Sequence, residues 1–375
     1  MSLPGFMTPE AAADRRVPVL VLTGFLGAGK TTLLNRLLSD PSMSRTAVLI
    51  NEFGEVGVDH HLVDKVDDSI VVLDSGCICC SVQGDLLRAL KDIFQRGVRR
   101  EIEPVERVLI ETTGLADPAP IIHTLMQDFF VSARFRCDGV ITAVDVTHAP
   151  SQLDSHREAV RQVAMADRLL LTKCDLADAP ARAAVVERLR VLNPGAPLVE
   201  VFGGEVGPEA LEPCGIYDPG RKLPDVAVWL GEEAARARAE RMPATSGPTA
   251  WRRPGVAPAA TQPARHDADV HSFVLAFDQP LDWLGFSEGL SLLLQVYGER
   301  LLRIKGLLNV SGDPLPRIVQ CVQHVAYPPA SLPAWPESGP YADRRSRLVF
   351  IVRELPQDEV ANILGSLCGQ VPVTS

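Results

Sequence analysis

The chain lacks the excess of basic residues that nucleic-acid binding requires. Its 375 residues include 37 Lys and Arg against 47 Asp and Glu, a formal net charge of −10 at pH 7. Nucleic-acid affinity comes largely from neutralising phosphates with basic side chains. The charge balance therefore argues against nucleic acid as the main partner.

Long apolar runs are also missing. No run approaches the ~20 residues that span a bilayer. The first 16 residues contain Pro4, Glu10, Asp14 and Arg15 and have no apolar stretch of the kind found in signal peptides. The sequence thus predicts neither a membrane span nor a secretory signal, and it favours a cytoplasmic protein.

The cysteines do not form the pattern of a disulfide framework. The chain has 8 cysteines, at positions 77, 79, 80, 137, 174, 214, 321 and 368. The last five are isolated, and we interpret them as structural. The first three fall within four positions, which in a reducing compartment is typical of metal-binding or reactive thiols.

Short apolar runs alternate with helical patterns up to about residue 203. Predicted strands lie at 17–22, 46–51, 69–73, 107–110, 139–144 and 168–171, and predicted helices at 30–39, 86–96, 118–129, 151–164 and 181–192. Strands that alternate with helices indicate βαβ units. The fold class predicted is α/β, with a doubly wound, mostly parallel sheet.

A second pattern follows a Pro-, Ala- and Arg-rich stretch. Residues 206–268 are predicted to be a linker, with one short helix at 231–241. Periodicity then returns, with strands at 271–277, 300–307, 316–324 and 347–352 and helices at 281–297 and 357–367. We therefore predict a disordered N-terminus at 1–16, a first domain at 17–205, the linker, and a smaller α+β domain at 269–370.

A phosphate-binding loop stands between the first predicted strand and helix. Residues 24–31, GFLGAGKT, fit the pattern G-x-x-x-x-G-K-[ST] in the context that the pattern requires. Lys30 is expected to reach the β- and γ-phosphates, and Thr31 to coordinate Mg²⁺. The residues predicted to bind the nucleotide phosphates are Gly24, Gly27, Ala28, Gly29, Lys30, Thr31 and Thr32.

Glu111 ends the apolar predicted strand at 107–110 and is followed by Thr112, Thr113 and Gly114. An acid at the end of such a strand holds Mg²⁺ or one of its waters. Gly114 is then placed to donate its N–H to the γ-phosphate and to act as a switch. The alternative is that Glu111 only caps the end of the strand.

Thr172, Lys173 and Asp175 follow the predicted strand at 168–171. A carboxylate at Asp175 can accept both N–H groups on the edge of guanine, a pattern that adenine does not offer. Lys173 is expected to lay its aliphatic stem over the base. Thr172 stands where Asn is common, and Asp175 has the alternative role of capping a following helix.

Cys77, Cys79 and Cys80 belong to the segment GCICC. Thiolates are ligands for zinc and related transition metals, and three of them leave a tetrahedral ion one ligand short. Buried small apolar cysteines are the alternative interpretation. The fourth ligand stays open among Glu52, Glu55, Asp59, His60 and His61, in a charged, glycine-containing loop that suits a switch.

In order, GFLGAGKTT, NEFGEVGVD, GCICC, ETTGLADP and TKCD resemble the CobW-type family of P-loop GTPases, metallochaperone relatives of the urease and hydrogenase maturation GTPases. The stretches HSFVLAF, LLRIKGLL and RSRLVFI are similar to the family's small C-terminal domain. The resemblance implies slow hydrolysis of GTP to GDP with Mg²⁺, and Zn²⁺ or Co²⁺ at the CxCC thiolates. It also implies delivery of the metal to a client metalloprotein, with the C-terminal domain as the expected contact.

The catalytic residues predicted are Lys30, Glu111 and Glu52, with Glu52 or Glu111 orienting the attacking water. Two other functions remain open at this point. The metal can be purely structural in a GTP-regulated interaction switch, or the loop can belong to a small-molecule kinase. The guanine-type pattern at Asp175 argues against the kinase.

Overall fold

The computed structural model describes residues 14–50, 72–74, 82–211, 269–337 and 341–374. Three predicted features lie outside these residues: the thiol segment at 76–80, the loop that carries Glu52, and the helix at 231–241.

The first sheet of the described chain has seven strands: β1 (Val17–Gly24), β2 (Thr46–Ile50), β3 (Val72–Asp74), β4 (Arg107–Glu111), β5 (Phe135–Asp145), β6 (Arg168–Thr172) and β7 (Leu198–Glu200). Their order is β3-β2-β4-β1-β5-β6-β7, and every pairing is parallel. All seven carboxyl ends therefore meet at one edge, where open α/β sheets bind ligands.

Helices cover both faces of this sheet: α1 (Lys30–Leu38), α2 (Val82–Val98), α3 (Ala119–Gln127), α4 (Phe129–Ser132), α5 (Ala149–Ser155), α6 (Arg157–Met165) and α7 (Ala179–Leu192). Strand β1 shows why both faces must be covered. Val19 and Val21 pack among residues of α2 and α3, whereas Leu20 and Leu22 pack among residues of α1. Side chains of a strand alternate between faces, so a strand apolar at every position needs helices on each. The predicted doubly wound parallel fold is confirmed.

Two predicted helices are each divided in the structure. The helix predicted at 118–129 breaks at Asp128, which is extended and whose carboxylate accepts the Val131 N–H of α4 at 2.9 Å. The helix predicted at 151–164 breaks at His156, which is also extended and stacks on Phe25 with ring centroids 4.6 Å apart. Periodicity did not reveal either break, because both fragments keep their apolar face toward the sheet.

The chain stays packed on the first sheet beyond β7. A helical turn at Pro208–Leu211 follows, in which Leu211 is buried and the Ala210 carbonyl accepts the Arg168 guanidinium at 2.6 Å. Composition predicts that these residues belong to the linker at 206–268. Contact of Ala210 and Leu211 with the apolar core beside α1 places them in the first domain instead.

A second, antiparallel sheet forms the C-terminal domain from β8 (Val270–Phe277), β9 (Leu301–Leu308), β10 (Arg317–Val322), β11 (Val325–Ala326), β12 (Ala330–Ser331), β13 (Ser346–Arg353) and β14 (Val373–Thr374). Helices α8 (Trp283–Tyr297) and α9 (Gln357–Cys368) pack on one face. The strand predicted at 316–324 is a hairpin, β10–β11. Gln323 makes its turn with φ of 49°, a left-handed conformation that is uncommon outside glycine.

The two sheets share buried contacts. Val322, Val325 and Tyr327 of the second domain lie in the apolar cluster that covers one face of the first sheet. Arg303 of β9, 1% exposed, pairs with Asp167, 2% exposed. A carboxylate oxygen of Asp167 also accepts the Val140 N–H of β5 at 3.0 Å.

Two basic side chains of β9 donate to backbone carbonyls of the first domain. Arg303 donates to the Met165 carbonyl at the end of α6 at 3.5 Å, where the last carbonyls of a helix have no partner in the helix and a cation is favoured. Lys305 donates to the Gly195 carbonyl, in the turn after α7, at 3.1 Å. Arg303 and Lys305, the two charged residues of an otherwise apolar strand, therefore fix the docking of the two domains.

We predict that Arg303→Met lowers the free energy of unfolding by about 3–5 kcal/mol, because it leaves the buried Asp167 carboxylate without its ionic partner. The matched control is Arg45→Met, which removes an exposed ion pair with Glu106 and is expected to cost at most about 1 kcal/mol. Equilibrium urea unfolding measures both. Equal losses for the two variants would show that the buried pair does not hold the domains together.

Candidate functional site

The phosphate-binding loop joins β1 to α1. Gly27 and Gly29 have φ of 75° and 83°, so both adopt the left-handed conformation that favours glycine. Gly24 approaches the next strand so closely that a Cβ there would lie 2.3 Å from the Ala143 carbonyl oxygen. Lys30 is 9% exposed and its ammonium donates to the Gly24 carbonyl at 2.9 Å. The loop therefore curls around the amino end of α1, where the helix dipole favours phosphate.

Thr31 and Glu111 meet beside this loop. The Thr31 hydroxyl donates to a Glu111 carboxylate oxygen at 3.0 Å, and Glu111 is 5% exposed. The two residues come from α1 and from the end of β4, the neighbour of β1. A hydroxyl and a carboxylate so close together are the oxygen donors that Mg²⁺ prefers. The residues present thus fit a magnesium site.

Gly114 packs directly against the phosphate loop. A Cβ at this position would lie 2.7 Å from backbone atoms of Leu26, which only glycine avoids. The preceding Thr112 is fastened to β1, since its hydroxyl donates to that of Thr23 at 2.8 Å. The segment after β4 therefore touches the phosphate loop at the position predicted for a phosphate-sensing switch.

Gln162 of α6 holds the same segment from the other side. Its side-chain amide, 1% exposed, donates to the Gly114 carbonyl at 3.3 Å and to the Ala116 carbonyl at 3.0 Å. Asp117 follows, and one oxygen of its carboxylate accepts the Arg161 guanidinium at 3.2 Å and the Gln323 amide at 3.1 Å. Gln323 lies in the β10–β11 turn, so the segment at 112–118 contacts the C-terminal domain.

The predicted base-binding residues lie at the end of β6. The Thr172 hydroxyl donates to the Ala28 carbonyl of the phosphate loop at 2.8 Å, so this residue links the two parts of the site without the common Asn. Asp175 is exposed and accepts the Gly203 N–H at 2.7 Å. The alternative in which Asp175 caps the next helix is wrong, because Asp178 is the N-cap of α7.

Lys173 adopts the left-handed conformation, with φ of 57°, and its ammonium contacts the Asp145 carboxylate at 2.7 Å. Burial alone would raise the pKa of Asp145, but hydrogen bonds from Lys173, Thr147 and His148 outweigh it and lower that pKa to about 2. Asp145 is therefore ionised at neutral pH. It lies at the end of β5, between the phosphate loop and the base-binding residues.

Sequence reasoning missed several residues of this edge. Asp145 directly follows the predicted strand at 139–144, as Glu111 follows the one at 107–110, so its position was a usable signal. The pair Gly203–Gly204, with φ of 58° and 76°, follows β7, and a Cβ at Gly204 would lie 3.4 Å from a methyl carbon of Thr32. Gln162 gave no signal, because a polar residue in a helix is ordinarily exposed.

The thiol segment with Cys77, Cys79 and Cys80 lies outside the described residues. In the sequence it stands between Asp74, where β3 ends, and Val82, where α2 begins. Within the described part of the chain, no group of three or more His, Cys, Asp or Glu residues could hold a metal ion. The described chain also contains no helix of the length and apolarity that crossing a membrane requires.

Two isolated cysteines have the properties of structural residues. Burial raises the pKa of the Cys137 thiol to about 12 and that of the Cys321 thiol to about 12. Since the thiolate is the metal ligand and the nucleophile, neither residue is available for that chemistry at neutral pH.

Comparison with curated proteins gives relatives along most of the chain. The chain is 34% identical over 349 residues to the zinc chaperone YjiA of Escherichia coli (strain K12), a match that covers 92% of this chain and 96% of that protein. It is 28% identical over 346 residues to the zinc chaperone CobW of Sinorhizobium sp., covering 84% of this chain and 88% of the relative. It is 26% identical over 385 residues to the zinc-regulated GTPase metalloprotein activator 1 of Saccharomyces cerevisiae, covering 93% of this chain and 83% of the relative.

A solved structure and two family models agree with these matches. The crystal structure of Zn(II)-bound YjiA GTPase from E. coli superposes with a TM-score of 0.65 at 30% identity, covering 94% of this chain and 99% of that one. Residues 18–200 match the model of the CobW/HypB/UreG nucleotide-binding domain, and residues 270–368 match that of the cobalamin synthesis protein cobW C-terminal domain. The chain therefore belongs to the CobW/HypB/UreG family and carries the cobW-type C-terminal domain.

Proposed function

We propose that this protein is a GTPase that binds a transition metal ion through Cys77, Cys79 and Cys80 and delivers it to a client metalloprotein. The observation that carries the proposal is that Lys30, Thr31, Glu111, Thr172 and Asp175, which are predicted to bind phosphate, magnesium and base, lie at one edge of the sheet. The contact between Thr31 and Glu111 at 3.0 Å is its centre. The thiols follow β3, whose carboxyl end lies at that same edge.

Hydrolysis depends on charge placement at the phosphates. The Lys30 ammonium lies against the phosphate loop and neutralises charge on the β- and γ-phosphates, while Mg²⁺ held by Thr31 and Glu111 would neutralise more. Glu111 or Glu52 orients the attacking water. No arginine finger is identifiable from the sequence, so intrinsic turnover is slow unless a partner supplies one.

Zinc is the metal that the relatives favour. The bacterial relatives are named zinc chaperones, and the yeast relative is named a zinc-regulated GTPase metalloprotein activator. Thiolates bind both Zn²⁺ and Co²⁺, so the donor set accepts either ion. Metal affinity and nucleotide state share one coupling free energy, which acts in both directions.

The C-terminal domain is the part that transmits the nucleotide state to a client. Gly114 touches the phosphate loop, and Asp117, three residues on, bonds Gln323 of the second domain at 3.1 Å. The adjacent His324 shares a hydrogen bond of 2.9 Å with the Leu294 carbonyl of α8. A displacement of the segment at 112–118 on hydrolysis would therefore reach α8 through direct contacts.

Zinc should change the rate of GTP hydrolysis by the wild type and leave the Cys77/Cys79/Cys80→Ala variant unaffected. The measurement is phosphate release with and without Zn²⁺, with Cys368→Ala as the control, since that thiol is isolated. Equal rates in all conditions would refute the coupling. If zinc resists chelators until the protein unfolds, the metal is structural and the protein is an interaction switch.

Asp175→Asn should weaken GDP binding about 10- to 100-fold, because charge-assisted hydrogen bonds contribute about 1.5–3 kcal/mol. The same change should improve binding of xanthosine diphosphate, whose base offers an acceptor where guanine has an amino group. Fluorescence titration measures both dissociation constants. Asp178→Asn is the control, because that exposed residue caps α7 and asparagine caps equally well. An unchanged preference for GDP in Asp175→Asn would contradict the assignment.

Gln323→Asn should abolish the difference in amide hydrogen exchange of α8 between the GDP state and a state with a non-hydrolysable GTP analogue. Asparagine tolerates the left-handed turn but is too short to keep the bond to Asp117. Nucleotide affinity should stay within about twofold, since Gln323 does not contact the nucleotide site. Gln370→Asn, which shortens a side-chain amide that bonds the backbone of Gln279 in the C-terminal domain, serves as control. A nucleotide-dependent difference that survives in Gln323→Asn would exclude this route.

A further inference from the structure

The Asp145 carboxylate accepts hydrogen bonds from Thr147, His148 and Lys173, a set that phosphate binding and magnesium binding do not explain. Its side chain is 1% exposed. One oxygen accepts the Thr147 hydroxyl at 2.6 Å and the Thr147 N–H at 2.8 Å, and the other contacts the Lys173 ammonium at 2.7 Å and His148 Nδ1 at 2.9 Å. Neither phosphate binding nor magnesium binding uses this carboxylate.

The backbone explains why Asp145 and Lys173 meet. Asp145 is the last residue of β5 and stands in register with Thr172, the last residue of β6. The Val146 N–H donates to the Thr172 carbonyl at 3.1 Å, which extends the pairing one step beyond the strands. The left-handed conformation of Lys173 then turns the chain, and its side chain runs back to Asp145. Both residues are therefore placed by the sheet itself.

The contact restrains a side chain that is otherwise among the most mobile. Lysine loses up to about 2 kcal/mol of rotamer entropy when it is fixed. Lys173 is fixed at both ends, by its backbone and by an ionised carboxylate, while 34% of its side chain stays exposed. The methylene stem of Lys173 therefore offers a ligand a preorganised apolar surface.

We propose that Asp145 is a positioning residue of the base site, which holds Lys173 so that its stem packs on the face of the guanine ring. Asp175 recognises the edge of the base, and the pair Asp145–Lys173 supports its face. This inference rests on the proposed binding of guanine nucleotides. It separates two tasks: edge recognition discriminates between bases, whereas face support strengthens binding of any purine held at the site.

The test is a double-mutant cycle on the dissociation constant for GDP, with Asp145→Asn, Lys173→Met and the double variant. Methionine keeps an apolar stem but cannot pair with Asp145. Each single change should raise the dissociation constant about tenfold. The dissociation constant of the double variant should not exceed that of the single variant that binds GDP less tightly. Lys91→Met, which removes a different Lys–Asp contact, with Asp128, should leave the constant unchanged.

Two further readouts separate positioning from a general loss of structure. The inhibition constant of inorganic tripolyphosphate should stay unchanged in Asp145→Asn, because the phosphate loop does not depend on the base. In an Asp175→Asn background, Asp145→Asn should weaken xanthosine diphosphate by the same factor as it weakens GDP in the wild type. A loss of tripolyphosphate binding in step with GDP would show a structural role and overturn the inference.

Other outcomes distinguish this inference from the proposed function. If the wild type prefers GDP through Asp175 but Asp145→Asn and Lys173→Met bind GDP normally, positioning is wrong and the GTPase assignment stands. Additive effects in the double variant would also overturn it, because the two residues would then act independently. A wild type that binds ADP as tightly as GDP would overturn the guanine assignment at Asp175, and an undiminished ADP affinity in Asp145→Asn would then overturn this inference as well.

Discussion

The structure depends on a buried ion pair between its two domains, Arg303 and Asp167. Desolvating two charges is expensive, and the pair persists only because each partner has further hydrogen bonds: Arg303 to the end of α6 and Asp167 to the Val140 N–H. A carboxylate bonded to both domains ties β9 to β5, the strand that ends in Asp145. The C-terminal domain is thus fixed to the same strand that helps build the nucleotide site. A movement of the segment at 112–118 would therefore be a movement relative to that domain, and the Asp117–Gln323 contact would feel it.

The parallel sheet explains how residues far apart in the sequence form one site. Gly24, Glu111, Asp145 and Thr172 each end or nearly end a strand, and the strands are neighbours. Three hydroxyl contacts then join the segments: Thr31 to Glu111, Thr112 to Thr23 and Thr172 to Ala28. Threonine suits this use because its hydroxyl can donate and accept while its methyl group packs against the strand.

Local sequence predicted the fold and the phosphate loop, because glycine spacing and apolar runs are properties of neighbouring residues. For the same reason it placed Glu111 and Asp175 just after apolar strands, and their roles toward Mg²⁺ and guanine stay predictions. The breaks at Asp128 and His156 could not be predicted, since one depends on a cap and the other on a ring contact with Phe25 from another segment. The contacts of Gln162 and Gln323 could not be predicted either, because they form only when α6 and the second domain pack beside the segment that contains Gly114. The thiols and Glu52 stay predictions, outside the described residues.

Asp117 receives three donors on one carboxylate: the Ala119 N–H that starts α3, the Arg161 guanidinium and the Gln323 amide. One side chain therefore joins the start of α3, helix α6 and the β10–β11 turn of the second domain. A substitution at Asp117 would remove a support from all three elements at once, although the residue itself lies outside the phosphate loop.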